Sequence, residues 1–265
     1  MNKQFVMLSG LPRSGSSVLT SMLNQHPDIY ASTTSPIIDM IEIIHPNWQS
    51  ISAGLISHHP DQYPNMIKGL CYGAYEHIDK SIIIDKNRIW PRYGKLMRDA
   101  LGHKPKIICT VRNIPEILAS YILLINKNSD KITFIDQDLI DNNLPINNKN
   151  RCKLLWEKYM NLPYLSLKVG LQSSDIDLCV VDYNEITSDG QLVIDKICKF
   201  IGVDTFALNT TNLQKMDEND NFHGGIDGLH HVRPVLERTS PDAEQVIGHH
   251  LVKLYNDMKL DIWNR

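Results

Sequence analysis

The chain has 265 residues, 42% hydrophobic and 22% charged, the profile of an ordinary globular protein with a sizeable core. A formal net charge of −3 gives no general attraction to nucleic acid or a membrane surface, though a local basic pocket stays open because clefts, not totals, set fields. Five cysteines with no C-x-x-C pair argue for reduced core thiols over disulfides or metal ligands. The N-terminus lacks a signal-like pattern and no run approaches the ~18 apolar residues of a membrane span. The expectation is a cytoplasmic protein without membrane insertion.

In chain order, Phe5–Leu8 reads as a short apolar strand and Val18, Leu19, Met22 and Leu23 as one face of a helix. That helix stops at Asn24-Gln25-His26-Pro27, and Tyr30–Ser35 is short and polar. Pro36 opens a second helix through Ile44, Asn47–Pro60 reads as a loop, and Asp61–His77 as helix. Ser81–Ile84 fits a buried parallel strand closed by Asp85-Lys86. A helix near Arg92–Leu101 precedes the clearest strand, Lys106–Arg112, and the helix Ile114–Ile125 carries Pro115 in its first turn. Lys127–Asn150, rich in Asn and Asp, reads as a long surface loop. Arg151–Gln172 reads as helix broken at Pro163, Leu178–Tyr183 as strand and Leu192–Ile201 as helix. Asp204–Thr239 has little periodicity, and Ser240-Pro241 is expected to cap a last amphipathic helix.

Strands alternating with helices imply a single α/β domain over 1–265. Its expected form is a three-layer parallel sheet with helices on both faces, of the P-loop nucleotide-binding type. Ligands on such sheets bind beyond the strands' carboxyl ends, where the sequence puts Arg13, Asp85-Lys86, Arg112 and Tyr183. The spacing Gly10-x4-Gly15 is that of a phosphate loop, with backbone N–H groups and a helix dipole aimed at one anion. The position after the second glycine, Lys in a triphosphate-binding loop, is Ser16, and the loop's cation is Arg13. The run Ile82-Ile83-Ile84-Asp85 mimics the strand that ends on a magnesium ligand, which keeps a magnesium-dependent small-molecule kinase as an alternative.

Leu11-Pro12-Arg13-Ser14-Gly15-Ser16-Ser17, followed by Gln25-His26-Pro27-Asp28, resembles the 5′-phosphosulfate loop of the sulfotransferases, most closely the tyrosylprotein sulfotransferase type. Val111-Arg112-Asn113 with Ser120 is similar to that family's 3′-phosphate motif, and Asp182-Tyr183-Asn184-Glu185 to its later strand-end Tyr. The resemblance implies an enzyme using 3′-phosphoadenosine 5′-phosphosulfate (PAPS) as co-substrate and leaving adenosine 3′,5′-bisphosphate. The transfer it implies is in-line and metal-free, to a hydroxyl or amine of an acceptor of unknown class.

It assigns Arg13, Ser14, Gly15, Ser16 and Ser17 to the 5′-phosphosulfate and Arg112 with Ser120 to the 3′-phosphate. Tyr183 goes near the adenosine, and Lys86 beside Arg13 at the bridging oxygen. Arg233 and the two histidines His230 and His231, in the basic segment His230-His231-Val232-Arg233-Pro234, are expected as a lid over the donor phosphates. The pattern departs in one place: the catalytic Glu that follows the HPD segment in the tyrosylprotein enzymes aligns here with Thr33 and Thr34, which cannot act as a base near neutrality. Asp39, Asp85, His58 and His59 are the candidate bases. A catalytically inactive nucleotide-binding module is a further alternative.

Overall fold

In the computed structural model, which describes residues 3–51, 59–214 and 226–264, the elements follow in chain order. They are β1 (Gln4–Gly10), α1 (Ser16–Leu23), β2 (Ile29–Ala31), α2 (Ile37–Ile44), α3 (Trp48–Ile51), α4 (Gln62–Gly73), β3 (Ile82–Lys86), α5 (Gly94–Leu101) and β4 (Lys106–Val111). Then come α6 (Ile114–Lys127), α7 (Phe134–Asp141), α8 (Asn148–Leu154), α9 (Asn161–Gln172), β5 (Asp177–Asp182), α10 (Tyr183–Ser188), α11 (Gly190–Ile201), α12 (Ala243–Ile247) and α13 (His249–Asp257). The five strands form a parallel sheet in the order β2-β3-β1-β4-β5. The chain leaves β1 toward β3 on one side and reaches β4 on the other, so the order reverses around β1.

Both sheet faces are covered, as continuously apolar parallel strands require. On one face Val6, Leu8, Ile82, Ile84 and Ile108 pack with Leu19, Met22 and Leu23 of α1 and Val193, Ile194 and Ile197 of α11. On the other, Phe5, Met7, Ile83 and Ile107 pack with residues of α2, α4 and α5 around the buried Trp90. A further cluster joins α6, α7 and α8 to α12 and α13. All five cysteines are buried with free thiols.

Several expectations need correction. The Lys127–Asn150 segment is not a long loop: Thr133 caps α7 by accepting the Asp136 N–H, Ile135 and Leu139 are buried, and Asn147 caps α8 by accepting the Asn150 N–H. The polar stretch after the first helix holds the edge strand β2, paired to β3. Tyr183 opens α10 instead of ending a strand, because Asp182 and Glu185 form a capping box ahead of it. Pro163 does not break its helix; it sits near the start of α9, after a π-helical turn at Leu155–Met160. The last helix is capped by Asp242, not Ser240, and is interrupted at Gly248, whose φ is 86°.

Candidate functional site

The loop after β1 is shaped by its glycines. Gly10 has φ 142°, and a Cβ there would lie 2.3 Å from the Thr110 carbonyl oxygen, so β1 and β4 can lie this close only without a side chain. Gly15, at φ 90°, is the N-cap of α1, and no side chain caps the first turn. The opening N–H groups of α1 thus face out of the loop as anion donors. Arg13 adopts the left-handed region at φ 58°, costly for a non-glycine and a recurrent feature of ligand-binding loops. Ser14 points the other way. It is fully buried, and its hydroxyl bonds the Leu11 carbonyl (2.5 Å) and Thr110 Oγ1 (2.6 Å), bracing the loop against β4.

The strand register brings the next groups alongside. Lys86 ends β3 opposite Leu8, its N–H held by Ser32 Oγ at 2.9 Å and its Nζ donating to Ser17 Oγ at 3.3 Å. Arg112 follows β4 and is 3% exposed. Its Nε donates to Glu116 Oε2 (3.1 Å), Nη1 to the Arg13 carbonyl (3.2 Å) and Nη2 to the Thr239 carbonyl (2.9 Å), and its guanidinium lies 3.9 Å from the Tyr183 ring centroid. Ser120, one turn beyond Glu116 on α6, accepts from Arg13 Nε at 3.3 Å. Burial lowers the Arg13 pKa, and Arg112 nearby pushes in the same direction. Two adjacent cations taken out of water favour an anion between them.

Residues 226–240 cross over this centre as a strap. The Leu229 carbonyl accepts from Arg13 Nη1, the Thr239 carbonyl from Arg112, and Tyr183 Oη bonds Thr239 Oγ1 at 2.9 Å. The strap closes a cavity of ≈ 310 Å³ whose lining includes Arg13, Gly15, Ser16, Ser17, Lys86, Arg88, Arg112, Ser120, Lys127, Tyr183, His230, His231 and Arg233. Among the proposed donor residues, Ser14 alone lies outside this lining. The chain's net charge is negative, yet Arg13, Lys86, Arg88, Arg112, Lys127 and Arg233 converge here with Asp227 and Glu237 as acidic lining residues. Arg233 pairs with Glu237.

A second cavity of ≈ 520 Å³ adjoins the first and shares Lys86, Arg88, Leu229 and His230 with it. Its other lining residues are Thr33, Thr34, Ser35, Asp39, Asn87, Tyr121, Phe134 and Tyr159. Of the candidate bases, Asp39 is here, with its pKa raised by desolvation and by Glu42. Asp85 is not: it faces the opposite side of the sheet, fully buried, accepting from Tyr75 Oη (2.6 Å) and Trp90 Nε1 (2.8 Å). Desolvation raises its pKa. It reaches neither cavity, which removes the geometric basis for Asp85 as base or magnesium ligand. His59 is exposed and lines neither cavity; His58 lies outside the described residues. The sequence reasoning missed Arg88, two residues past Lys86, where a second basic residue at a strand end was the available signal. It also missed the Leu229 and Thr239 carbonyls, which backbone geometry alone supplies.

A modified phosphate loop and a second basic strand end on a parallel α/β sheet gather a basic site beyond the strands' carboxyl ends. A sequence model of the sulfotransferase family matches residues 6–207. The chain belongs to that family. Among solved structures, the sulfotransferase domain from the curacin biosynthetic pathway superposes with TM-score 0.52 at 15% identity, covering 95% of this chain and 98% of that one. A mouse sulfotransferase complexed with PAP superposes with TM-score 0.53 at 16% identity, covering 100% of this chain and 87% of that one. At these identities the likeness is one of fold. A search of curated proteins gives no match.

Proposed function

We propose that this sulfotransferase takes PAPS as donor and moves its sulfuryl group to an acceptor hydroxyl. The observation that carries the reading is that one cavity joins a phosphate loop with Ser16 at the lysine position to a second buried cation, Arg112, at the next strand end. A donor with a single 5′-phosphate and a separate 3′-phosphate asks for two anion sites on neighbouring strands. The α1 N–H groups, Ser16, Ser17 and Arg13 would hold the 5′-phosphosulfate, with Ser14 bracing the loop. Arg112 and Ser120 would take the 3′-phosphate, and Tyr183 would lie against the adenosine. The PAP bound in the mouse structure supports this choice of nucleotide.

Lys86 reaches Ser17 Oγ, which supports a role for its ammonium in stabilising the negative charge that would collect on the leaving phosphate oxygen as the S–O bond breaks. Arg13 adds a second fixed cation. The strap carrying His231 and Arg233 would cover the nucleotide and exclude water. The test is binding: adenosine 3′,5′-bisphosphate should bind in EDTA with a Kd in the micromolar range or tighter. A protein that bound ATP only with magnesium, and the bisphosphate not at all, would require the kinase reading.

A further inference from the structure

We propose that His230 is the general base of the transfer and that the second cavity, walled by Phe134 and Tyr159, holds the acceptor; the inference rests on the donor reading above. Transfer must occur where the two cavities meet, and the residues lining both are Lys86, Arg88, Leu229 and His230. Lysine and arginine hold their protons far above neutral pH, and Leu229 offers no titratable group. An imidazole exchanges a proton near neutrality and is the commonest general base.

The chain holds this residue firmly. Leu229 is buried in the cluster around α6, with its carbonyl bonded to Arg13, and Val232 is buried in the cluster around α1 and α11. His230 therefore sits between two packed anchors, one tied directly to the phosphate loop. Asp39 lines the acceptor cavity alone and is exposed. Charged and titratable groups sharing the cavities with His230 are Arg13, Lys86, Arg88, Arg112, Lys127, His231, Arg233, Asp227, Glu237 and Tyr183 on the donor side and Asp39, Tyr121 and Tyr159 on the acceptor side.

The far wall indicates the kind of acceptor. The Phe134 and Tyr159 rings meet edge to face at 5.0 Å, and Tyr159 Oη donates to Asp138 Oδ2 at 2.7 Å. With its hydroxyl engaged outside, Tyr159 presents its ring. Thr33, Thr34 and Asp39 supply hydroxyl and carboxylate groups to the same cavity. The cavity volume is that of a small-molecule site, so the acceptor is a small molecule with an apolar or ring-shaped body and a hydroxyl at the cavity junction. In the step, the acceptor O–H proton passes to a His230 ring nitrogen while its oxygen forms the new S–O bond. The bond from sulfur to the 5′-phosphate oxygen breaks, and its electron pair leaves with adenosine 3′,5′-bisphosphate.

The test uses the full chain as wild type, His230→Gln and Asp39→Asn, with His230→Asn as a second variant should the first not fold. Single-turnover consumption of labelled PAPS is followed from pH 5.5 to 8.5 with water, simple phenols and sugar alcohols as acceptors. His230→Gln should bind the bisphosphate within about threefold of wild type, lose ~10²–10⁴-fold in rate and lose the acid limb of the pH profile. Retention of rate and acid limb in His230→Gln would overturn the proposal, as would their loss in Asp39→Asn alone. Failure of wild type to bind the bisphosphate would instead overturn the donor reading, and this proposal with it.

Discussion

Two residues show how the surroundings decide what a side chain does. Arg112 is buried and spends its donors on Glu116 and on two carbonyls of the loop and strap, a geometry a 3′-phosphate can enter by taking over hydrogen bonds already aimed. Arg112→Ala should weaken adenosine 3′,5′-bisphosphate binding about 10- to 100-fold, the worth of one or two charge-assisted bonds, and AMP binding less than about threefold. Equal losses by calorimetry would contradict the 3′-phosphate role. Asp85 is the opposite case. Its folded pKa is raised by burial, so its stabilising contribution is full below the unfolded value and is lost as pH rises through the folded one. Asp85→Asn should therefore gain stability relative to wild type as pH rises above the carboxyl's unfolded range in urea melts, with turnover within a few-fold. Asp85→Ala, orphaning the Trp90 N–H and Tyr75 O–H, should cost about 1–3 kcal/mol per group. A hundredfold loss of turnover in Asp85→Asn would revive a catalytic or metal-binding carboxylate.

At the scale of elements, α7 brings Phe134 into the second cavity, and an ion pair with little exposure fastens α7 to α8. Arg151 Nε and Nη2 donate to the two Asp136 oxygens at 2.7 and 2.8 Å, with 15% and 9% side-chain exposure. Arg151→Ala leaves the carboxylate buried alone and should destabilise the protein by about 3–5 kcal/mol in denaturant melts, while bisphosphate affinity in the folded fraction stays within about threefold. An unchanged melt would show that the pair is not structural. These helices are also where sequence and structure part. Asn and Asp mark loops by composition, but here Thr133 and Asn147 are caps, and the short α7 buries Ile135 and Leu139 one turn apart, too few apolar positions for periodicity to stand out. The donor side was legible because its chemistry is local: Gly10, Arg13 and Gly15 lie within six residues, and the motif at Arg112 and Ser120 spans a strand end and two helical turns. The proposed base was illegible because His230 comes to line the same cavities as Lys86 only through the strap, more than a hundred residues away in the chain and with no periodic signal.

Across the whole molecule, the sheet order makes the site. With β1 between β3 and β4, three strand ends deliver Arg13, Lys86 and Arg112 to one point, and the strap binds two of these cations through its carbonyls. A ligand touching loop, strand ends and strap should stabilise the assembly as a unit. At a bisphosphate concentration 100 times Kd the gain is about 2.7 kcal/mol, which for a chain of this size is a Tm increase of about 5–11 °C. An unmoved Tm at 100 times Kd would mean that the bisphosphate does not bind the folded protein in preference to the unfolded chain. The most direct test of the account is calorimetric titration with adenosine 3′,5′-bisphosphate in EDTA, compared with ATP and magnesium. The account predicts a Kd in the micromolar range or tighter for the bisphosphate and weak binding of ATP. Binding of ATP alone, and only with magnesium, would contradict it.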